Sequence, residues 1–321
     1  MTETDDASAK NNVKMVLNGS VISYHDAKID ICDMGFLCGD GVYEVILVHK
    51  GNAIDLAGHV TRLQASLTAI GMANFAQSDA CKHETIKEQI SGIIQPTQTC
   101  GIRIQISSGL GKVTGSRAVD CGELGKPTIA IFQYNAYNSK AYQGGNTPIN
   151  GNVPSKKAIT MSDPRWKLRN IKSTSLMGRI IADNEAIKMG VDDVIFTNEI
   201  NGKPFVSEAT RSNVFAVFDG DKIVTPPADE NILHGITRQR VIDLLKKSGT
   251  IVEERLISQD ELLTAKEVFM TSSAALITSI AEINGIAIGA AIGVAIGKKS
   301  NHNIAKRVNQ LYVNFLNEAS L

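Results

Sequence analysis

D-P-R-W-K-L-R-N-I-K-S-T-S-L-M-G-R, residues 163–179, is the stretch that decides how the chain is read. Its centre is Lys172, placed where an extended piece gives way to a helix. Ser173, Thr174 and Ser175 are residue types that cap helix N-termini. Leu176, Ile180 and Ile187 follow at helical spacing on one face, which predicts a helix over 173–189. A lysine at such a junction stands on rigid backbone and holds its amine in one direction. That suits a Schiff-base lysine, which must also lose its proton readily. Taken alone the position says little, because most lysines are solvated surface charges.

The rest of the chain supplies its company. V-S-E-A-T-R-S-N-V-F (206–215) sets a glutamate in a small-residue turn between strand-like runs, H-G-I-T-R (234–238) opens a helix, and T-S-S-A (271–274) ends a strand. Upstream stand G-D-G-V-Y-E-V (39–45) and H-V-T-R-L (59–63). In this order and at this spacing the set resembles the fold-type IV pyridoxal phosphate enzymes. That family includes D-amino-acid aminotransferases, branched-chain aminotransferases and aminodeoxychorismate lyases. The resemblance runs from about residue 14 to residue 317, nearly the whole chain.

Each motif then implies a role. Lys172, in its I-K-S context, matches the family's Schiff-base lysine, and pyridoxal 5'-phosphate is the implied cofactor. Glu208, in S-E-x-x-x-x-N-x-F, matches the glutamate that keeps the cofactor ring nitrogen protonated. A phosphate asks for N–H groups at helix starts and a cation. Ile236 and Thr237 at one helix start, and Ser272 and Ser273 at a second expected one, answer the first need. Arg62 answers the second, although by itself it reads as a surface arginine on an amphipathic helix.

The substrate side departs from the family pattern. G-D-G-V-Y-E-V resembles the D-amino-acid enzymes, yet Phe36 stands where the D-alanine enzymes place a tyrosine. Where those enzymes follow a T-R-G with an arginine and a histidine, this chain has S-S-G (107–109) and a longer loop holding Arg117 but no histidine. Arg103, in I-R-I-Q, and Arg211, three residues after Glu208, are the other candidates to hold a substrate carboxylate. The resemblance implies amino transfer between a D-amino acid, such as D-alanine or D-glutamate, and a 2-oxo acid. Branched-chain L-amino-acid transfer, aminodeoxychorismate lysis, (R)-amine transfer and a non-catalytic binding role on the same fold remain alternatives.

Composition agrees with a globular chain. Hydrophobic residues make up 43% of the 321 residues and charged residues 21%. Lys+Arg and Asp+Glu both number 33, so the net charge is zero and no basic surface for nucleic acid or an anionic membrane is indicated. The five cysteines are odd in number and lack C-x-x-C spacing, which excludes a zinc signature and a disulfide framework. No metal is expected. The apolar run 274–297 is cut by Asn284-Gly285 into pieces shorter than the ~20 residues of a membrane span. A polar N-terminus without an apolar h-region is no signal peptide, and a cytoplasmic homodimer is expected.

The fold expected is α/β (α+β) in two domains, with elements predicted in this order. Residues 1–12 read as a polar tail, 13–134 as a small N-terminal α/β domain and 135–157 as a linker. Residues 158–321 read as the larger cofactor-binding domain, which the resemblance makes a pseudo-barrel. Asn18-Gly19 and Asn201-Gly202 mark hairpins. Helices are predicted at 59–72, 79–94, 237–248 and 302–317.

Overall fold

The computed structural model describes residues 13–110, 126–134, 148–289 and 303–319. The backbone divides into two units. The first holds the chain up to Ala136 and takes back Ile171–Ser175; the second holds Tyr137–Asn170 and Leu176–Ala319.

The first unit is a six-stranded antiparallel sheet in the order β2-β1-β6-β5-β3-β4. Its strands are β1 (Lys14–Leu17), β2 (Ser20–Ser23), β3 (Gly41–His49), β4 (Asn52–Ala53), β5 (Cys100–Ser107) and β6 (Thr128–Tyr134). Asn18 and Gly19 between β1 and β2 both have positive φ (50° and 85°), the mirror-image turn that matches strand twist. The helix Leu56–Ala69 turns Leu56, Val60, Leu63 and Leu67 inward. There they meet Ile46, Ile102, Ile104 and Ile106 of the sheet and Ile86 and Ile90 of the helix His83–Ser91 in one buried cluster. Burying each such side chain contributes roughly 1.5–3 kcal/mol.

The second unit is built on nine strands in the order β12-β11-β10-β13-β14-β7-β8-β9, with β15 beside β14. They are β7 (Ser155–Ser162), β8 (Asp193–Ile200), β9 (Lys203–Ala209), β10 (Asn213–Phe218), β11 (Lys222–Thr225), β12 (Val252–Glu254), β13 (Glu267–Ser272), β14 (Leu276–Ile283) and β15 (Ile286–Ala287). The strand β7 starts inside the stretch read above as linker. Because β9 also pairs with β10, the path β10-β13-β14-β7-β8-β9 closes on itself into a six-stranded barrel. The closing pair is Glu208 with Asn213. Val214, Ala216, Val268, Met270 and Ile280 fill its core. The helices Met177–Met189, Ile236–Lys247, Gln259–Leu263 and Asn303–Glu318 complete the unit.

Three sequence expectations need correction. The helix expected from 173 begins at Met177, with Leu176 at its cap position and no side-chain capping bond. The hydroxyls of Thr174 and Ser175 instead donate to backbone carbonyls of Gly39 and Gly41, which draws them out of the helix. That helix buries Ala182 and Ala186, while Ile180 and Ile187 lie outside. Periodicity locates an apolar face but not what covers it. Finally, Thr271–Ser273 opens no helix: β13 ends at Ser272 and a tight turn leads into β14. The apolar run 274–297 thus begins as sheet, and among the described residues no helix is long and apolar enough to cross a membrane.

Candidate active site

Lys172 belongs to the first unit and is tied into it through its backbone. The N–H of Tyr43 donates to the Lys172 carbonyl at 2.9 Å, and the N–H of Lys172 donates to Ser66 Oγ at 3.2 Å. Ser173 bridges Val42, and the Thr174 N–H donates to the Gly41 carbonyl at 2.9 Å. The lysine is therefore anchored on the end of β3, and its Nζ lies 4.6 Å from the centroid of the Tyr43 ring.

Successive residues of a strand face opposite ways, so Tyr43 and Glu44 divide the site between two faces of the sheet. On the Tyr43 face, the register Val45↔Arg103 and Tyr43↔Gln105 places Arg103 beside the ring. Its Cζ stands 4.0 Å from the ring centroid, and its Nε and Nη2 donate to Gln105 Oε1 at 3.0 and 2.8 Å. On the other face Glu44 is wholly buried. It accepts from Arg62 Nε and Nη2 at 2.7 Å each and lies 2.7 Å from His59 Nδ1.

Burial opposes the Glu44 charge, but Arg62 and then His59 outweigh it, and its pKa falls well below the usual carboxylate range. Burial, reinforced by the positive charges of Arg62 and Lys172, also lowers the His59 pKa against the pull of Glu44. His59 is thus neutral at neutral pH, with Nδ1–H donated to Glu44. The Arg62 guanidinium, expected to face a phosphate, has two of its N–H groups on this carboxylate. Phe36 lies on the short helix Met34–Cys38 and is 61% exposed. Arg117 lies outside the described residues.

The second unit carries Glu208 at the closing pair of its barrel, 4% exposed. One oxygen, Oε1, accepts from Arg165 Nη1 at 2.7 Å; the other, Oε2, accepts from the Leu233 N–H at 3.0 Å and Asn213 Nδ2 at 3.2 Å. Asn213 Nδ2 also reaches the Leu233 carbonyl at 2.9 Å. Gly235, the cap residue of helix Ile236–Lys247, must lack a side chain here, because a Cβ would collide with Asn213 Oδ1.

Thr237 is buried in the first turn of that helix, and its Oγ1 lies 3.5 Å from Ser273 Oγ. Two stretches 36 residues apart thus bring hydroxyls together at one helix N-terminus. Ser272 precedes Ser273 and its Oγ accepts from the Ala275 N–H at 3.1 Å. Arg211 is 53% exposed along its side chain and donates to Asp183 Oδ2 at 2.6 Å, a carboxylate that also pairs with Arg179 at 3.2 Å.

Sequence reasoning gave no role to Glu44, Asp163, Arg165 or Arg169. Asp163 is fully buried at its carboxylate and holds both Arg165 (2.7 Å) and Arg169 (2.8 Å). A usable signal was present: charged residues are seldom buried without partners, so a glutamate inside an apolar strand announces a paired charge. Among the described residues no group of three or more His, Cys, Asp or Glu is placed to hold a metal ion.

Each unit carries parts that pyridoxal 5'-phosphate requires. In the first unit a strand-anchored lysine suits its aldehyde; in the second a carboxylate accepting from Arg165, Asn213 and the Leu233 N–H suits its ring N–H, and a helix N-terminus with two hydroxyls suits its phosphate.

Comparison with known proteins bears on the same residues. The family model described as Amino-transferase class IV matches residues 41–283. A D-alanine aminotransferase of Listeria monocytogenes is 30% identical over 309 residues, covering 96% of this chain and 97% of that protein. A putative branched-chain-amino-acid aminotransferase of Methanocaldococcus jannaschii is 31% identical over 283 residues, covering 85% of this chain and 88% of the other. The crystal structure of a branched-chain amino acid aminotransferase from Thermobaculum terrenum in its PLP form superposes with a TM-score of 0.76. It covers 97% of this chain and 95% of that one at 22% identity.

Proposed function

Since the chain belongs to the class IV aminotransferases, which work with pyridoxal 5'-phosphate, we propose that it transfers the amino group of a D-amino acid to a 2-oxo acid. When bound, the cofactor supplies an aldehyde that takes up the amino group and a protonated ring that draws electrons from the substrate. The protein's part is to hold that group and to move one proton.

In this reading Lys172 binds the cofactor aldehyde. Its freed Nζ would then take the proton from the substrate Cα and pass it to the carbon that had been the aldehyde. Glu208 accepts the ring N–H. Thr237, Ser272, Ser273 and the Ile236 N–H hold the phosphate, and Arg62 supplies positive charge. Arg103 holds the substrate α-carboxylate, with Arg211, Arg117 and Phe36 as further substrate contacts.

The observation that carries the proposal is the shared Tyr43 ring, with Lys172 Nζ at 4.6 Å and Arg103 Cζ at 4.0 Å. A cation that can bind a carboxylate lies within one aromatic ring of the proton-transferring amine. The D preference is supported by G-D-G-V-Y-E-V and by the relatives named D-alanine aminotransferase. Branched-chain L-amino-acid transfer is the second reading, favoured by the strand position of Arg103, which carries an arginine or lysine in such enzymes.

A homodimer is part of the proposal. In the first unit Ile31, Phe36 and Leu37 are exposed, and in the second Met177, Ile180, Ile181 and Ile187 are. Exposed apolar area of this kind is what subunit contacts cover. The deciding experiment offers D-alanine, D-glutamate, L-leucine and (R)-1-phenylethylamine singly to the holoenzyme and follows loss of the cofactor's visible absorbance. A response to L-leucine with none to D-alanine would overturn the D reading.

A further inference from the structure

Around Glu208 there are hydrogen-bond donors from three separate segments. Arg165 reaches Oε1, and Asn213 and the Leu233 N–H reach Oε2. A carboxylate accepts all three; a protonated carboxyl would turn one oxygen into a donor facing other donors. Of the three, only Arg165 carries charge, and a guanidinium does not deprotonate in a protein.

Its aim is fixed from several sides. Nε and Nη2 are held by Asp163 at 2.9 and 2.7 Å, and the guanidinium lies on the Phe196 ring at 4.4 Å. Close packing against Gly178 leaves it little room, because a Cβ there would stand 2.9 Å from Arg165 Cγ and 3.1 Å from its Cα. Asp163 in turn pairs with Arg169 at 2.8 Å, so two acids and two arginines form a neutral quartet. Asp229 adds a charge that acts on Arg169. Burial works against the Arg165 charge, but Asp163 and Glu208 more than offset it and its pKa is raised.

We propose that Arg165 is a positioning residue that keeps Glu208 ionised, so that the proton the two share stays on the cofactor ring nitrogen. The inference rests on the assignment of Glu208 to that nitrogen made above. A carboxylate and a pyridine nitrogen compete for one proton, and the neighbouring cation decides the contest by favouring the anion. The planar fork matters as well as the charge. One ammonium cannot meet Asp163 and Glu208 with the same geometry.

The test reads the ring nitrogen directly. Holoenzyme is loaded with pyridoxal phosphate labelled with ¹⁵N in the ring, and the nitrogen signal is followed against pH without substrate. The wild type should keep the protonated signal through the neutral range. Arg165→Gln should move the loss of that signal to lower pH by about one unit or more, corresponding to about a tenfold weaker hold on the proton. Arg165→Lys, which keeps the charge but not the fork, should recover only part of that shift. Glu208→Gln is run in parallel and should lose the protonated signal.

If Glu208→Gln loses the signal while Arg165→Gln keeps it at every pH, Arg165 is merely structural and the proposal fails. If both variants keep it, the placement of Glu208 at the ring is what fails, and the proposal falls with it. Should Arg165→Gln not fold, Asp163→Asn releases the fork from its anchor instead. A shift there in the same direction supports the proposal, and a wild-type profile overturns it.

Discussion

Arg103 and Lys172 meet on one aromatic ring: their cationic groups lie 4.0 and 4.6 Å from the centroid of Tyr43. The ring packs against both positive charges, and a cation over an aromatic face gains about 0.5–2 kcal/mol. Tyr43→Ala should therefore lower kcat/KM for the preferred amino acid by roughly 30-fold, equivalent to about 2 kcal/mol. Tyr43→Phe keeps the ring and should stay within about threefold. Equal losses in the two variants would assign the effect to the hydroxyl.

Lys172→Ala should abolish amino transfer without unfolding the protein, because the strand contacts of residue 172 run through its backbone N–H and carbonyl. Circular dichroism should match the wild type while the cofactor's visible band is lost on gel filtration. An alanine variant that retains the band and measurable turnover would remove Lys172 from its role.

Glu208→Gln should retain bound cofactor but slow removal of the Cα proton by on the order of 10²-fold or more, the scale of losing one strong electrostatic contact. Stopped-flow measurement of the half-reaction with an α-deuterated donor checks it. A growing isotope effect identifies the proton step, and unchanged kinetics places Glu208 outside the site.

Arg103→Ala and Arg211→Ala separate the two candidate carboxylate ligands. Arg103 should cost roughly 2–4 kcal/mol with amino acids and little with an (R)-amine that has no carboxylate. Arg211 is half exposed and paired with Asp183, so its removal should cost about 1 kcal/mol or less on either substrate. Comparison of kcat/KM for D-alanine and (R)-1-phenylethylamine decides between them, and a selective loss in Arg211→Ala would reverse the ranking.

Acid should destabilise the first unit through Glu44 and His59. Glu44 has a folded pKa below its ordinary value of 4.5, so its stabilisation is complete above that pH and is lost as pH falls towards the folded value. His59 has a folded pKa below 6.5, so the unfolded chain binds the extra proton first, and stability already declines as pH drops through 6.5. Urea midpoints measured from pH 8 down to about 4 should fall steadily. His59→Gln should flatten the upper part of that decline; a parallel slope would place the titration elsewhere.

Local structure was legible in the sequence where one residue type has a reason to be in one place. The Asn-Gly pairs at 18–19, 201–202 and 284–285 all form turns with positive φ at both residues. The helix Leu56–Ala69 and the strands of the first sheet follow the apolar spacing. What periodicity could not supply was pairing between distant segments: the barrel closure at Glu208 and Asn213, or Arg165 meeting an acid 43 residues away. Arg165 and Arg169 received no role because nothing local reveals that Asp163 and Glu208 neutralise them. The helix Met177–Met189 was legible as a helix and misleading in its faces, since its small residues, not its isoleucines, turn inward.

Residues 171–175 rejoin the first unit only after the chain has already entered the second. The first unit is therefore not a continuous piece of sequence and cannot be excised as one. A fragment ending at Ala136 would lack Ile171 from its core and the Lys172 carbonyl that receives the Tyr43 N–H. During synthesis the first unit stays incomplete until residue 175 has left the ribosome, so the two units cannot mature as independent beads in order of translation. Chimaeras that exchange the halves between relatives at a cut near residue 136 would graft a foreign lysine segment onto β3. The swap keeps its own only if the 171–175 segment travels with the first half.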